Sequence, residues 1–481
     1  MAEETQVLVK FITKLPAHLK VPETPVAVPA SLKRYGLSQI INHLLALDPP
    51  RPFDFLVDSE LLRRSLEQHI MAHNLSAEST LEVEYVPAVV PPQQKSASPH
   101  DDWVSSVDAS RCSPSPSPSG PTGVILSGSY DGLLRVWNGD LHCTSATPAH
   151  EGGVNCVRYL PPSQGNLLLT CGKDLTVKLW KLEDPPAAGP GPGSAPHPHP
   201  PRLLATYRAH SDAVEAVAVS PGGTRMASCG WDGRLMVWET GRPVADAADA
   251  DAATGTGTEG SKKKRRTAAG KEANGAANGA ANGGGASGGG GDVITVTEAS
   301  AELTGHLHCV AAVSWPEEET LVSGGWDHSV RRWDVSTGAA TAIYNGSKAV
   351  LCVATHGSSP HLVAFGCSDR ALRLWDTRGP TRPGAASETL AVTTHGSHAN
   401  WVTAVAWCPS SAYHLATASH DGSVKLWDVR TAVPLGALEG HGDKVLCVGW
   451  LGGGGLGNGA QPSGGLVSGG ADCHLRLWHG V

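Results

Sequence analysis

SHDGSVKLW, residues 419–427, begins as a tight turn and continues as a strand that ends on an aromatic residue. Asp-Gly is turn chemistry, because the Asp side chain bonds nearby backbone and Gly accepts a positive φ at no steric cost. The same unit recurs as SYDGLLRVW, GKDLTVKLW, GWDGRLMVW, GWDHSVRRW, CSDRALRLW and GADCHLRLW. In each, an Asp stands six residues before a Trp: Asp131 and Trp137, Asp174 and Trp180, Asp232 and Trp238, Asp327 and Trp333, Asp369 and Trp375, Asp421 and Trp427, Asp472 and Trp478. A period of this kind marks a repeat architecture, in which each unit buries its apolar face only against its neighbours.

A second layer accompanies the first. Four residues before the seven Asp residues stand Ser127, Thr170, Ser228, Ser323, Phe365, Thr417 and Ser468, and upstream lie His100, His150, His210, His306, His398 and His441. The seven units resemble WD40 repeats, and the resemblance implies that His, hydroxyl, Asp and Trp form a buried hydrogen-bond chain. Such a chain is useful only when every member is satisfied. The fifth unit lacks both the His and the hydroxyl, as that account requires, since a lone buried partner would cost about 1–3 kcal/mol. Each His occupies one station of a different repeat, so the six cannot converge on one metal ion, although GHLHCV at 305–310 suggests zinc at first sight. Ser, His and Asp likewise recur as internal struts and not as a catalytic triad.

The 481 residues, with 57 Gly and 35 Pro, predict fewer packed domains than length alone would give, plus inserts. A net charge of -8 over so long a chain favours solubility and argues against a dedicated nucleic-acid surface. Eleven cysteines occur without a C-x-x-C pair, which suits a reduced intracellular protein with small buried thiols and no zinc site. MAEETQVLVK has neither a cationic nor an apolar leader region, and no run of about 18 apolar residues occurs, so neither secretion by that route nor a membrane span is expected.

Trp238 and Trp333 stand 95 residues apart, against 43 for Trp137 and Trp180, which leaves a surplus of roughly 50. The surplus is an Ala, Gly and Asn tract near 241–292 that cannot bury enough apolar surface to offset its ordering entropy. Shorter inserts fall near 184–201 and 451–465, and all three are expected to be loops at the rim. Lys262, Lys263, Lys264, Arg265 and Arg266 form the one dense basic run, which reads either as a solvated charge run or as a nuclear import signal.

The first 90 residues follow another pattern. TQVLVKFITK and VPETPVAVPA predict a hairpin, GLSQIINHLLAL a helix whose stripe is Ile40, Ile41, Leu44 and Leu45, FDFLVD a strand, ELLRRSLEQHIMAHN a helical stretch and STLEVEYV a last strand. This order is that of a ubiquitin-like β-grasp. The expected fold is mostly β: an N-terminal ubiquitin-like domain over 1–90, then a seven-bladed WD40 β-propeller over 91–481. Only three residues follow Trp478, so a strand upstream of His100, with Val86 to Val90 as candidate, is expected to close the ring. In the last strand Leu81, Val83 and Tyr85 share one face and Glu82 and Glu84 the other, which is expected to be wet. Glu78 lies outside that alternation, between Ser76 and Thr80; on spacing alone it is a solvated carboxylate.

VPASLKRYGLSQIINHLL, PFDFLVDSELLRRSL, LEVEY and DDWVSSV resemble the WD-repeat ribosome-biogenesis factors of the PeBoW complex, whose N-terminal module is the NLE domain. The resemblance spans the chain except its inserts. It implies a non-catalytic scaffold of large (60S) ribosomal subunit biogenesis and pre-rRNA processing in the nucleus, nucleolus and nucleoplasm. Its implied partners are Pescadillo, the second propeller protein of that complex, pre-60S particles and the AAA ATPase midasin. It also implies that Glu78 enters a metal site on midasin, so that the only metal involved, Mg²⁺, is bound in trans and the chain has no cofactor of its own. Two other readings stay open. A substrate-recruiting or signalling WD40 adaptor, for example of a ubiquitin ligase, would combine similar modules. An enzyme is disfavoured, since no carboxylate pair, nucleophile motif or phosphate loop stands outside the repeat.

Overall fold

A computed structural model describes residues 6–479 other than 14, 16, 48–49, 59, 63, 74–79, 89–92, 113–122, 183–199, 242–292, 379–391, 397, 431–433 and 453–464. The N-terminal region forms one sheet from β1 (Gln6–Ile12), β2 (Val26–Pro29), β3 (Phe53–Val57), β4 (Glu60–Leu61) and β5 (Leu81–Pro87), with α1 (Arg34–Leu45) and α2 (Leu66–Ala72) between strands. The order is β2-β1-β5-β3-β4, and β1 runs parallel to β5 in the middle, the β-grasp arrangement. Alternation decides the faces: Val7, Val9 and Phe11 of β1 are buried with Val83 and Tyr85 of β5, and α1 and α2 cover them with Leu37, Ile41, Leu66 and Ile70. The Tyr85 hydroxyl reaches the far side of that core, donating to the Leu19 carbonyl at 2.7 Å and accepting from Val21 N–H at 2.9 Å.

Three local expectations are corrected. The buried stripe of α1 is Leu37, Ser38 and Ile41, while Leu44 is exposed. The Ser38 hydroxyl accepts from the Phe53 N–H at 3.0 Å, which fixes this face of the helix against β3. The second helix does not begin at Glu60: Glu60–Leu61 pair with β3, and the helix starts at Leu66, where the Ser65 hydroxyl accepts from the Gln68 N–H at 3.3 Å. Glu82 is exposed beside Lys10 at 3.0 Å, but Glu84 is not on a wet face. Its carboxylate accepts from Arg430 Nη1 of the propeller at 3.0 Å, and both side chains are largely buried. Arg430 is held in turn by Asp428, at 2.6 Å from Nη2 and 2.9 Å from Nε, and lies 4.4 Å from the centre of the Tyr413 ring.

Seven sheets make the propeller. Blade one comprises Val104–Asp108, Val124–Ser129, Leu133–Asn138 and Cys143–Pro148, and blades two to six repeat this antiparallel meander. The first strands of neighbouring blades lie against one another and form the inner ring. Seven valines open those strands, Val104, Val154, Val214, Val310, Val350, Val402 and Val445, and all are fully buried. Glycine makes that approach possible: a Cβ on Gly128 would stand 2.6 Å from Val154 Cγ1, and one on Gly366 2.6 Å from Val402 Cγ1.

The ring closes as expected through a segment upstream of His100, but not through Val86 to Val90. Val86 pairs with Asp54 and Pro87 with Phe53, so these two belong to β5, while Val89 and Val90 lie outside the described residues. The closing strand is β6 (Gln93–Pro99), antiparallel to His474–His479 in blade seven, from His474 opposite Pro99 to His479 opposite Gln93. QQKSASP carries almost no apolar signal because it is an outer strand exposed along most of its length. One pairing was not foreseen: beyond the long insert of blade three, Ile294–Val296 adds a fifth strand to blade two, parallel to Arg202–Tyr207, before Ala301–Leu303 completes blade three.

Candidate functional sites

The repeat residues meet inside each blade. In blade three His210 Nδ1 lies 2.8 Å from Asp232, His210 Nε2 lies 2.8 Å from Ser228 Oγ, and Trp238 Nε1 donates to the same oxygen at 2.9 Å. The direction of the chain follows from chemistry. A carboxylate only accepts, so Nδ1 carries the proton; Nε2 of the neutral ring then accepts from the hydroxyl, whose oxygen accepts from the indole. Blade two repeats this with His150, Asp174, Thr170 and Trp180, blade four with His306, Asp327, Ser323 and Trp333, blade six with His398, Asp421, Thr417 and Trp427, and blade seven with His441, Asp472, Ser468 and Trp478.

Burial pushes His150, His398 and His441 below the ordinary imidazole value, although Asp174, Asp421 and Asp472 pull the other way. Burial alone would raise the carboxyls; hydrogen bonds from His150, His210, His306 and His441 hold Asp174, Asp232, Asp327 and Asp472 below the usual range. At His150, His398 and His441 burial thus favours a neutral ring beside a charged carboxylate, a state suited to a strut and not to proton transfer.

Two blades depart from the pattern. In blade one His100 keeps Ser127, which accepts from Trp137, but Asp131 turns to Arg135 at 2.7 Å. His100 Nδ1 has no hydrogen-bond partner among the described residues, and burial with the nearby Arg135 charge lowers the imidazole to about 4. In blade five Phe365 takes the hydroxyl station, Asp369 is clasped by both terminal nitrogens of Arg373 at 3.0 and 2.6 Å, and Trp375 Nε1 is buried without a partner among the described residues. The joint loss of His and hydroxyl is the one expected from the sequence; the orphaned indole that follows from it is not.

A different group of residues surrounds the mouth of the channel. The residue after each second strand donates its N–H to the carbonyl of the residue before that blade's first strand: Tyr130 to Trp103, Lys173 to Gly153, Trp231 to Ala213, Trp326 to Cys309, Ser368 to Ala349, His420 to Trp401 and Ala471 to Lys444. These seven equivalent stations lie on one face, at the inner ring. Trp103, Trp231, Trp326 and Trp401, 40, 45, 39 and 42 % exposed, all occupy them, whereas Trp315, Trp407 and Trp450 are buried. This set was not read from the sequence, although its signal is there: Trp231 and Trp326 stand just before the turn Asp in GWDG and GWDH, and Trp103 and Trp401 just before the Val that opens a first strand.

Glu78 and the run Lys262 to Arg266 lie outside the described residues, as do most of the three inserts. All eleven cysteines are unpaired, and nine of them are buried. Among the described residues no group of three or more His, Cys, Asp or Glu is placed to hold a metal ion, and no helix is long and apolar enough to cross a membrane.

A WD40 propeller closed by a strand next to an N-terminal β-grasp domain defines the class: a WD-repeat protein with an NLE domain. The family model described as NLE (NUC135) domain matches residues 7–70, and that described as WD domain, G-beta repeat matches 92–138, 141–181, 201–239, 298–334, 338–376, 390–428 and 432–479. The chain is 65% identical to "Ribosome biogenesis protein WDR12 homolog" of Chlamydomonas reinhardtii, over 99% of this chain and 98% of that protein. It is 38% identical to the protein of the same name in Oryza sativa subsp. japonica, over 99% and 97%, and 33% identical to "Ribosome biogenesis protein YTM1" of Coccidioides immitis (strain RS), over 89% and 83%. The chain belongs to the WDR12 family of ribosome biogenesis proteins.

Proposed function

We propose that this chain is a non-catalytic scaffold in large (60S) ribosomal subunit biogenesis and pre-rRNA processing, working in the nucleolus and nucleoplasm with Pescadillo and the second propeller protein of the PeBoW complex. Its full-length likeness to ribosome biogenesis proteins, covering both domains, carries this reading. The non-catalytic part is supported by the use of His, Ser and Asp as internal struts in the blades. In this reading the N-terminal domain docks on midasin, and Glu78, in the segment between α2 and β5, gives its carboxylate to the Mg²⁺ of an adhesion site on that ATPase. A hard octahedral ion with an open position favours a charged oxygen from outside and tolerates little misplacement. Asp at this position keeps the charge but shortens the reach by about 1.5 Å, one carbon-carbon bond.

Pull-downs of midasin with and without chelator test this. Glu78→Ala and Glu78→Asp both lose the metal-dependent binding, while Glu82→Ala, which breaks only an exposed pair with Lys10, retains it. Such Glu78 variants join pre-ribosomes yet are not removed from them, which blocks subunit maturation in a dominant manner. Undiminished binding by Glu78→Ala returns Glu78 to the surface. The basic run is tested separately: alanine at residues 262–266 slows nuclear accumulation without changing thermal stability, and an unaltered nuclear signal assigns import to another segment or to a partner.

A further inference from the structure

The channel mouth at blades three and four is built around a carboxylate that no cation among the described residues clasps. Glu215 lies one residue into the first strand of blade three, on the inner ring. One of its oxygens accepts from Trp231 Nε1, and among the described residues it forms no salt bridge. Burial raises this carboxyl above its ordinary value, opposed by the Trp231 hydrogen bond and by the charge of Lys173. Lys173 does not reach it; its ammonium sits 4.3 Å from the centre of the Tyr130 ring instead. Trp231, oriented by Glu215, packs against Trp326 with ring centres 5.2 Å apart and planes at 55°, and both indoles keep open surface. Leu307, in the loop that leads to blade four, is 80 % exposed beside this station in the chain.

We propose that Glu215, Trp231 and Trp326 form a binding site for an arginine side chain carried on a segment of a protein partner. Three features select that chemistry. A half-buried carboxylate without a counter-ion is stabilised by an incoming cation. A guanidinium stacks on an indole face and also donates to a carboxylate in its own plane, which a compact ammonium cannot do together. Single-stranded nucleic acid, the other common ligand of exposed aromatic rings, brings phosphates, which Glu215 repels, and the rim offers the exposed acids Glu151, Asp212 and Asp443 beside the basic Lys173 and Lys444. The site stands apart from the reading of the N-terminal domain and does not depend on Glu78.

The test uses the full chain and a blocked Gly-Ser-Arg-Ser-Gly peptide, with its glutamine analogue in place of arginine, and follows the indole N–H resonances of Trp231 and Trp326. The arginine peptide shifts both saturably and the analogue does not. Glu215→Gln, which keeps the shape and the acceptor for Trp231, weakens binding roughly tenfold, the loss of one charge-assisted hydrogen bond. Trp326→Ala, at an exposed position, weakens it comparably, and Trp401→Ala, on blade six, leaves it unchanged. No saturable shift, equal binding by Glu215→Gln, or preferential shift of the same resonances by an oligouridylate overturns the proposal.

Discussion

Blades five and six solve one structural problem with opposite chemistry. Blade six links Trp427 through Thr417 and His398 to Asp421, so each buried polar atom of the chain has a partner. Blade five places Phe365 where Thr417 stands, and Tyr344 from the outer strand of blade four packs against it with ring centres 5.2 Å apart and lies 6.2 Å from Trp375. Its turn Asp is held by Arg373 in place of histidine. The unbonded indole of Trp375 costs about 1–3 kcal/mol, a penalty of the same size as the roughly 1.5–3 kcal/mol gained by burying a Phe side chain. A blade therefore tolerates a polar strut or an aromatic plug, provided that the group changes as a whole.

Truncating the plug has the largest expected effect. Phe365→Ala leaves a cavity among Tyr344, Val353 and Trp375 and should cost about 3–5 kcal/mol, read as a lower denaturant midpoint with the slope unchanged. Ser228→Ala in blade three comes next: it strands His210 Nε2 and Trp238 Nε1 together, for about 2–4 kcal/mol. If the two substitutions reversed in rank, the polar strut would carry more stability than the apolar plug.

Acid should separate the blades further. His100, held at about 4 against an ordinary 6.5, takes up a proton more readily in the unfolded chain than in the folded one. Stability is therefore complete above pH 6.5 and declines as pH falls toward 4. His100→Asn should flatten that part of the stability profile, whereas blade five has no histidine at the corresponding station to titrate. An unchanged profile would assign the acid sensitivity to the other blades. The smallest effect is a difference: Trp427→Phe should exceed Trp375→Phe by about 1 kcal/mol, because only the former removes a hydrogen bond, that to Thr417. Equal costs would mean that the Trp375 indole has found a partner.

The propeller is legible in the chain because its signal is local and repeated. Asp and Trp six apart mark each third strand, and the hydroxyl four residues earlier marks the second. The closing strand was hard to read: QQKSASP is polar, and the more apolar Val86 drew attention although β5 had already used it. Glu84 was misplaced for a related reason. Alternation shows which side of a strand turns away from its own core and says nothing about a second domain lying there. The channel mouth was hidden by chemistry: Trp231 and Trp238 are the same residue type seven positions apart, and only the fold decides which indole faces water.

The strand that shuts the ring is also the handle by which the N-terminal domain is attached. β6 begins at Gln93, shortly after β5 ends at Pro87, and its ladder with His474–His479 runs from that end. Tension on the N-terminal domain thus loads the Gln93 end of the ladder first, where bonds in series peel one at a time instead of sharing the load. The Arg430 clasp on Glu84, anchored in blade six, is a second tie between the two domains. Traction on the N-terminal domain would therefore bear on the seam of the circle, where the chain first enters it.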